Sequence, residues 1–278
     1  MADEQAGKKS IPPFDKEALL LIDDHEEEVS VDGKTVRKRG IYLLPNLFTT
    51  AALFSGFFAI VSAMNGRFEP AAIAIFVAMV FDGLDGRVAR LMNAQSKFGA
   101  EYDSLADMVS FGVAPALVVF SWGVSDLGKF GWAVAFIYVS CAALRLARFN
   151  TQIDTADKNF FTGLASPAAA AVMAGVVWVS AEEGWVGSDL PTELAVLVGV
   201  LMAFVGMLMI VNVRYNSFKG IDFKGRVPFV VMILVVLAFG LVSVDPARIL
   251  LGLVLVYALS GPVQAIYRRA KGSASTPL

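Results

Sequence analysis

Apolar residues run along this chain in blocks of about 20, each closed by a short polar or Gly/Pro-containing break, which is the length needed to cross a bilayer as a helix. The blocks fall roughly at 43–64, 69–92, 98–122, 130–150, 163–182, 193–212, 227–244 and 247–267. They predict an all-α integral membrane protein with about eight transmembrane helices. The last two blocks are divided only by Ser243-Val244-Asp245-Pro246, where the Asp-Pro pair reads as a helix stop and restart. Before the first block, residues 1–32 are polar and acidic and lack the apolar core of a signal peptide, so they read as a flexible cytoplasmic tail. Residues 33–42 read as a basic segment resting on anionic headgroups, and 269–278 as a short polar tail.

Composition supports this class. Of 278 residues, 56% are hydrophobic and 17% charged, and the mean hydropathy is +0.65. A soluble domain of that size needs a more charged surface. The net charge of −2 says little, because the charges are segregated. Counted by alternate loops, 20 of the 23 Lys and Arg fall on one side, leaving Arg67, Lys129 and Arg248 on the other. The positive-inside rule then puts both termini on the cytoplasmic side of the cytoplasmic membrane. Cys141 is the lone cysteine, which excludes an intramolecular disulfide and reads as a small buried hydrophobe. The run from Asp23 to Glu28, with His25 inside it, reads as a solvated acidic stretch rather than a metal site.

The candidate chemistry lies at the cytoplasmic edge of the second and third blocks. Asp82-Gly83-Leu84-Asp85-Gly86-Arg87-Val88-Ala89-Arg90 is followed by Gly99, Asp103 and Asp107. Ionisable groups at a membrane edge are costly and are functional candidates by default. Asp82 and Asp85 are three apart, and Asp103 and Asp107 four apart, so each pair shares a helix face. A turn at Asn93-Ala94-Gln95-Ser96 makes the two helices antiparallel neighbours and lets all four carboxylates converge. Bare carboxylates so arranged repel one another. Divalent cations remove that penalty, and oxygen-only ligands suit Mg²⁺ or Mn²⁺, no His or Cys being near to favour zinc.

Gly83, Gly86 and Gly99 lack side chains at the level of the acids, each costing about 1 kcal/mol of helix stability relative to Ala. Approach of a bulky ligand explains that cost; close helix packing through small residues is the alternative. Charge balance at the membrane edge explains either Arg87 or Arg90; Arg90 closes the motif and is the better candidate for a pyrophosphate contact.

The spacing Asp-x2-Asp-Gly-x2-Ala-Arg-x8-Gly-x3-Asp-x3-Asp over 82–107 resembles the signature of the CDP-alcohol phosphotransferases, with every fixed position met. The resemblance implies a six-helix core, here 43–220, with the two helices of 221–268 added. It implies two divalent cations, with Asp82, Asp85 and Asp103 as ligands and Asp107 as general base that also helps at the metals. Gly83, Gly86, Ala89 and Gly99 would border the cytidine nucleotide. Other segments are similar to one branch, the membrane-integral phosphatidylserine synthases. These are Leu44 to Thr49, in which Asn46 and Thr49 would face the nucleotide, Ser110 to Ala116, Ala143 to Asn150, Phe161 to Pro167 and Val213 to Lys219.

The implied reaction joins CDP-diacylglycerol and L-serine, giving phosphatidylserine and CMP, with Asp107 taking the serine hydroxyl proton. Direct displacement needs fewer parts than a phosphatidyl-enzyme, and the sequence leaves both open. Serine, a zwitterion, wants a cation for its carboxylate. Arg145 or Arg148 fits, with Asn150, Thr162, Gly163 and Ser166 completing the pocket, although positive-inside topology accounts for either arginine equally well. A sister enzyme using glycerol 3-phosphate or an inositol phosphate remains the nearest alternative. A transporter or an intramembrane prenyltransferase explains the interleaved acids and glycines less well. The expected partners are the two substrates and the bilayer, with a homodimer implied by the resemblance and nothing pointing to nucleic acid.

Overall fold

A computed structural model describes residues 27–31, 34–38, 43–92, 96–151, 160–216 and 229–273. The chain divides into two units, Met1–Ile41 and Tyr42–Leu278. In the first, β1 (Glu27–Val31) pairs antiparallel with β2 (Lys34–Lys38), in a register that sets Val29 opposite Val36. The sequence pattern gave a flexible tail and an interfacial segment there. In the sequence, the dipeptide Asp-Gly at 32–33, between segments that carry Val29, Val31, Thr35 and Val36, is a hairpin signal that the charge-based reading passed over. The acidic run from Asp23 to Glu26 and the basic residues of the first 26 lie outside the described residues.

The second unit is an all-α membrane fold. Its helices are α1 (Leu43–Met64), α2 (Phe68–Leu91), α3 (Lys97–Asp107), α4 (Ala114–Trp122), α5 (Lys129–Thr151), α6 (Ser166–Glu182), α7 (Thr192–Ile210), α8 (Phe229–Val244) and α9 (Pro246–Ser273). A π-helical turn, Met108–Val113, joins α3 to α4, so the third apolar block is one continuous rod. By length and composition, five helical stretches among the described residues can cross a membrane: 43–64, 98–122, 129–151, 192–210 and 246–267. Helix α2 carries Glu69, Asp82, Asp85, Arg87 and Arg90, and α6 and α8 have 17 and 16 residues, which separates these three from the others.

Burial is inverted relative to a soluble bundle. On α1 the inward residues are small (Thr49, Ala52, Ser55, Gly56, Ala59, Ser62, Ala63), while Phe54 and Phe57 point out, 66% and 59% exposed. Small inward residues let backbones approach closely where lipid removes any hydrophobic drive. At Gly56 a Cβ would lie 2.7 Å from the Ser110 Cα, and the Ser110 hydroxyl donates to the Ala52 carbonyl at 3.1 Å. Helix α6 is buried along most of its length through Ala169–Ala174, and packs against α2, α4, α7 and α9.

Two differences from the expected elements bear on the site. The sixth helical segment starts at Ser166 rather than 163. Gly163 has φ +83° and its N–H donates to the Val213 carbonyl at 2.8 Å, while β3 (Phe160–Thr162) pairs with β4 (Arg214–Asn216). The last helix runs on to Ser273, beyond the expected end at 267. The Asp-Pro division is present: α8 ends at Val244, and the Asp245 carboxylate accepts from the Arg248 N–H at 3.1 Å as an N-cap.

Candidate active site

The site is built on the cytoplasm-facing ends expected for α1, α2 and α3, with α1 packed against both of the others. Pro45 stands in the first turn of α1, where its missing N–H costs nothing. One turn on, the Thr49 hydroxyl lies 2.8 Å from Asp85 Oδ2 and 3.2 Å from the Pro45 carbonyl. Asp85 is only 5% exposed, so Thr49 holds a buried carboxylate in one orientation. Residues 93–95 of the expected turn lie outside the described residues. Ser96 beyond them caps α3, its hydroxyl accepting from the Gly99 N–H at 2.9 Å. A further bond of 2.9 Å between the hydroxyls of Thr50 and Tyr102 ties α1 to α3.

This framing brings the acids together. One carboxylate oxygen from each of Asp82, Asp85 and Asp103 lies within 4.8 Å of the others. Asp107, the last residue of α3, is in hydrogen-bonding contact with Asp82 and interacts electrostatically with Asp103 and Arg145. The π turn that follows re-aims the rod and leaves carbonyls outside the ordinary ladder. The buried Tyr138 hydroxyl donates to one of them, Phe111, at 3.1 Å. Three carboxylates at that spacing, all hard oxygen donors, fit a divalent cation.

Beside the acids opens a cleft of about 300 Å³. Of the nucleotide-side candidates, Asn46, Thr49, Gly86, Ala89, Arg90 and Gly99 line it; Gly83 does not and is exposed. A Cβ added at Gly83 or Gly86 would meet nothing within 4 Å, so neither glycine serves close helix packing. At Gly99 a Cβ would come 3.1 Å from the Ser96 hydroxyl and 3.5 Å from Asn46 Oδ1, so this glycine admits the cap. Pro45, Ser96 and Ala100 also line the cleft and were not singled out from sequence, although Ser96 ahead of an apolar helix is a legible cap.

The acceptor-side candidates separate. Arg145, near the end of α5, donates from Nη1 to the Ser166 hydroxyl at 2.7 Å and is an electrostatic partner of Asp107. Its Nε is buried and has no hydrogen-bond partner among the described residues. Arg148 donates to the Ile210 carbonyl at 3.2 Å, serving the C-terminal end of α7. Asn150 pairs with Ser104 on α3, with bonds of 3.0 and 3.2 Å. Gly163 is committed to the turn against Val213, and Thr162 is placed through its backbone opposite Arg214.

With this geometry in view, residues 42–211 match the CDP-alcohol phosphatidyltransferase family. The chain belongs to that family, and is accordingly a membrane transferase of phospholipid synthesis. Within it, the similar proteins share one acceptor in their names. A Helicobacter pylori CDP-diacylglycerol–serine O-phosphatidyltransferase is 36% identical over 219 residues, covering 79% of this chain and 90% of the relative. A Mycobacterium tuberculosis protein of the same name is 43% identical over 164 residues, 55% of this chain and 56% of the relative. An archaetidylserine synthase from Methanothermobacter thermautotrophicus is 34% identical over 179 residues, 64% of this chain and 71% of the relative.

Proposed function

We propose that this chain is a phosphatidylserine synthase, transferring the phosphatidyl group of CDP-diacylglycerol to the hydroxyl of L-serine and releasing CMP. The observation that carries the reading is Arg145. Its guanidinium interacts with Asp107, is held by Ser166, and has a buried Nε–H with no partner among the described residues, which suits an anionic group. An acceptor bearing a carboxylate satisfies that donor beside the base that takes its proton. The names of the relatives agree with this choice.

Asp82, Asp85 and Asp103 would hold Mg²⁺ or Mn²⁺, with Asp107 adjacent. When bound, two such cations supply charge neutralisation at the pyrophosphate and at the departing CMP. The rest is done by the chain. Arg90, Ala89, Gly86 and Asn46 line the cleft for the nucleotide diphosphate. Asp107 accepts the serine hydroxyl proton as that oxygen bonds to the phosphorus carrying the diacylglycerol, and the bond from that phosphorus to the CMP oxygen breaks. The excess of Lys and Arg in alternate loops of the sequence supports a site and both termini at the cytoplasmic face of the cytoplasmic membrane, with eight crossings.

The test is CMP release by purified protein in the presence of Mn²⁺ and CDP-diacylglycerol, with L-serine, glycerol 3-phosphate or inositol phosphate added in turn. Serine-dependent release is expected. Release with a phosphorylated alcohol alone moves the chain to a sister activity, and no release with any acceptor contradicts the reading. A second expectation concerns Thr49→Val, which removes the hydroxyl from Asp85 without changing side-chain shape. It weakens Mn²⁺ dependence by about 10–100-fold, the usual effect of losing a partner of a metal ligand, read from a Mn²⁺ titration of CMP release. An unchanged titration would mean that Thr49 does not orient Asp85.

A further inference from the structure

The rod from α3 to α4 changes its hydrogen-bond register just behind the site. At Met108 the ladder is still ordinary, the Met108 N–H reaching the Ser104 carbonyl four residues back. By Ala114 it has slipped by one, the Ala114 N–H reaching the Val109 carbonyl five residues back. Asp107 is the last residue before the slip. Pro115 favours it. In an α-helix the Phe111 carbonyl would accept from the N–H of residue 115, and a proline there has none. A bare carbonyl at membrane depth is costly and needs another donor.

Side-chain bonds to two neighbouring helices secure this turn. Tyr138 of α5 donates to the Phe111 carbonyl at 3.1 Å, in the place of the missing N–H, and both residues are fully buried. On the other side Ser110, also fully buried, donates to the Ala52 carbonyl of α1 at 3.1 Å. Gly112 lets α5 close on the turn, since a Cβ there would come 3.3 Å from the Ala142 Cβ. Gly206 of α7 makes room for the Tyr138 backbone, 3.2 Å from an added Cβ. Beyond the turn, α4 is fixed by the buried Val118, Val119 and Trp122, and the Trp122 indole donates to the Trp185 carbonyl at 2.9 Å. Before it, the ties of α3 to its neighbours run from Tyr102 to Thr50 and from Ser104 to Asn150, both ahead of Asp107. Looseness in the turn therefore falls on Asp107.

We propose that Tyr138 is a positioning residue for the transfer, its hydroxyl pinning the π turn to α5 and so fixing Asp107 relative to Arg145. Tyr138 and Arg145 are seven residues apart, two turns of α5, and share a face of that helix. That face reaches the turn behind Asp107 through Tyr138, and Ser166 at 2.7 Å through Arg145. The proposal rests on the reading of Asp107 as base given above. A base acts only within hydrogen-bond reach of the proton it takes, so a small displacement is felt in the rate.

The test uses the full chain in detergent or liposomes and compares the parent protein with Tyr138→Phe, Asp107→Asn and the double variant. Tyr138→Phe keeps the ring and removes only the hydroxyl. Its kcat with L-serine is expected to fall about 10–100-fold, as for misplacement of a reacting group by about 1 Å. The KM for CDP-diacylglycerol and the midpoint of the Mn²⁺ titration stay within about twofold. The double variant is no slower than Asp107→Asn, because Tyr138 acts through Asp107. Partial unfolding would instead lower kcat by the same factor in both backgrounds, so the comparison separates positioning from stability whatever the Tm. Ser110→Ala loosens the same turn from the α1 side and is expected to repeat the pattern. A parental kcat in either Tyr138→Phe or Ser110→Ala, a shifted Mn²⁺ midpoint, or losses that multiply in the double variant overturns the proposal. An Asp107→Asn variant that keeps more than a tenth of the parent's kcat removes the base, and this proposal with it. A parent active only with a phosphorylated alcohol removes the serine reading alone, and the same variants are then compared on that acceptor.

Discussion

Asp107→Asn is expected to lower serine-dependent CMP release by about a thousandfold while leaving the fold intact, within the 10²–10⁴-fold usual for a general base. Asp107 ends α3, in hydrogen-bonding contact with Asp82 and in electrostatic interaction with Asp103 and Arg145. Asparagine has the same shape and can still accept a hydrogen bond through its carbonyl oxygen, but it cannot take the proton of an attacking hydroxyl. The loss therefore falls on kcat, measured at saturating Mn²⁺, with the KM for CDP-diacylglycerol little changed. A variant that kept more than a tenth of the parent's kcat would remove Asp107 from the proton transfer.

Asp85→Asn acts by a different route. This residue is 5% exposed and its carboxylate is oriented by the Thr49 hydroxyl, so it is a preorganised cation ligand. Replacing it takes a negative charge and a hard donor from a set of three that converge within 4.8 Å. Apparent Mn²⁺ affinity is expected to fall by more than about a hundredfold, because partners of metal ligands are already worth 10–100-fold. Unlike the Asp107 change, this loss is partly recovered by raising the Mn²⁺ concentration, and the two variants are separated by that titration. Equal Mn²⁺ curves for parent and Asp85→Asn would exclude Asp85 as a ligand.

Much of this architecture was legible in the order of residues, and for physical reasons. A bilayer demands apolar blocks of one length, so α1, α2, α5, α7 and the rod from α3 to α4 fall close to the expected limits. The aspartates were legible because three- and four-residue spacings put each pair on one helix face; Gly86, Ala89 and Arg90 of the cleft lie inside the same signature, whereas Asn46 and Thr49 came from the separate resemblance of the segment Leu44 to Thr49. What the sequence did not disclose depends on contacts between distant segments. Gly83 and Gly86 carry the same local signal, and only the packing of α1 decides that Gly86 faces the cleft and Gly83 does not. Arg145 and Arg148 are three residues apart on α5, and the same positive-inside argument applied to both. The structure gives Arg145 to Asp107 and Ser166, and Arg148 to the end of α7. The start of α6 at Ser166 follows from Gly163, whose positive φ and bond to Val213 depend on a strand pair more than 50 residues apart in sequence.

The most direct test of the metal-dependent transfer strips purified protein with chelator and follows CMP release from CDP-diacylglycerol and L-serine as Mn²⁺ or Mg²⁺ is returned. The expected result is no release without cation and full serine-dependent release on its return, with Asp85→Asn needing far more cation. Release that persists through chelation, or that fails to depend on serine after cation is restored, would contradict a serine transferase built on these four aspartates.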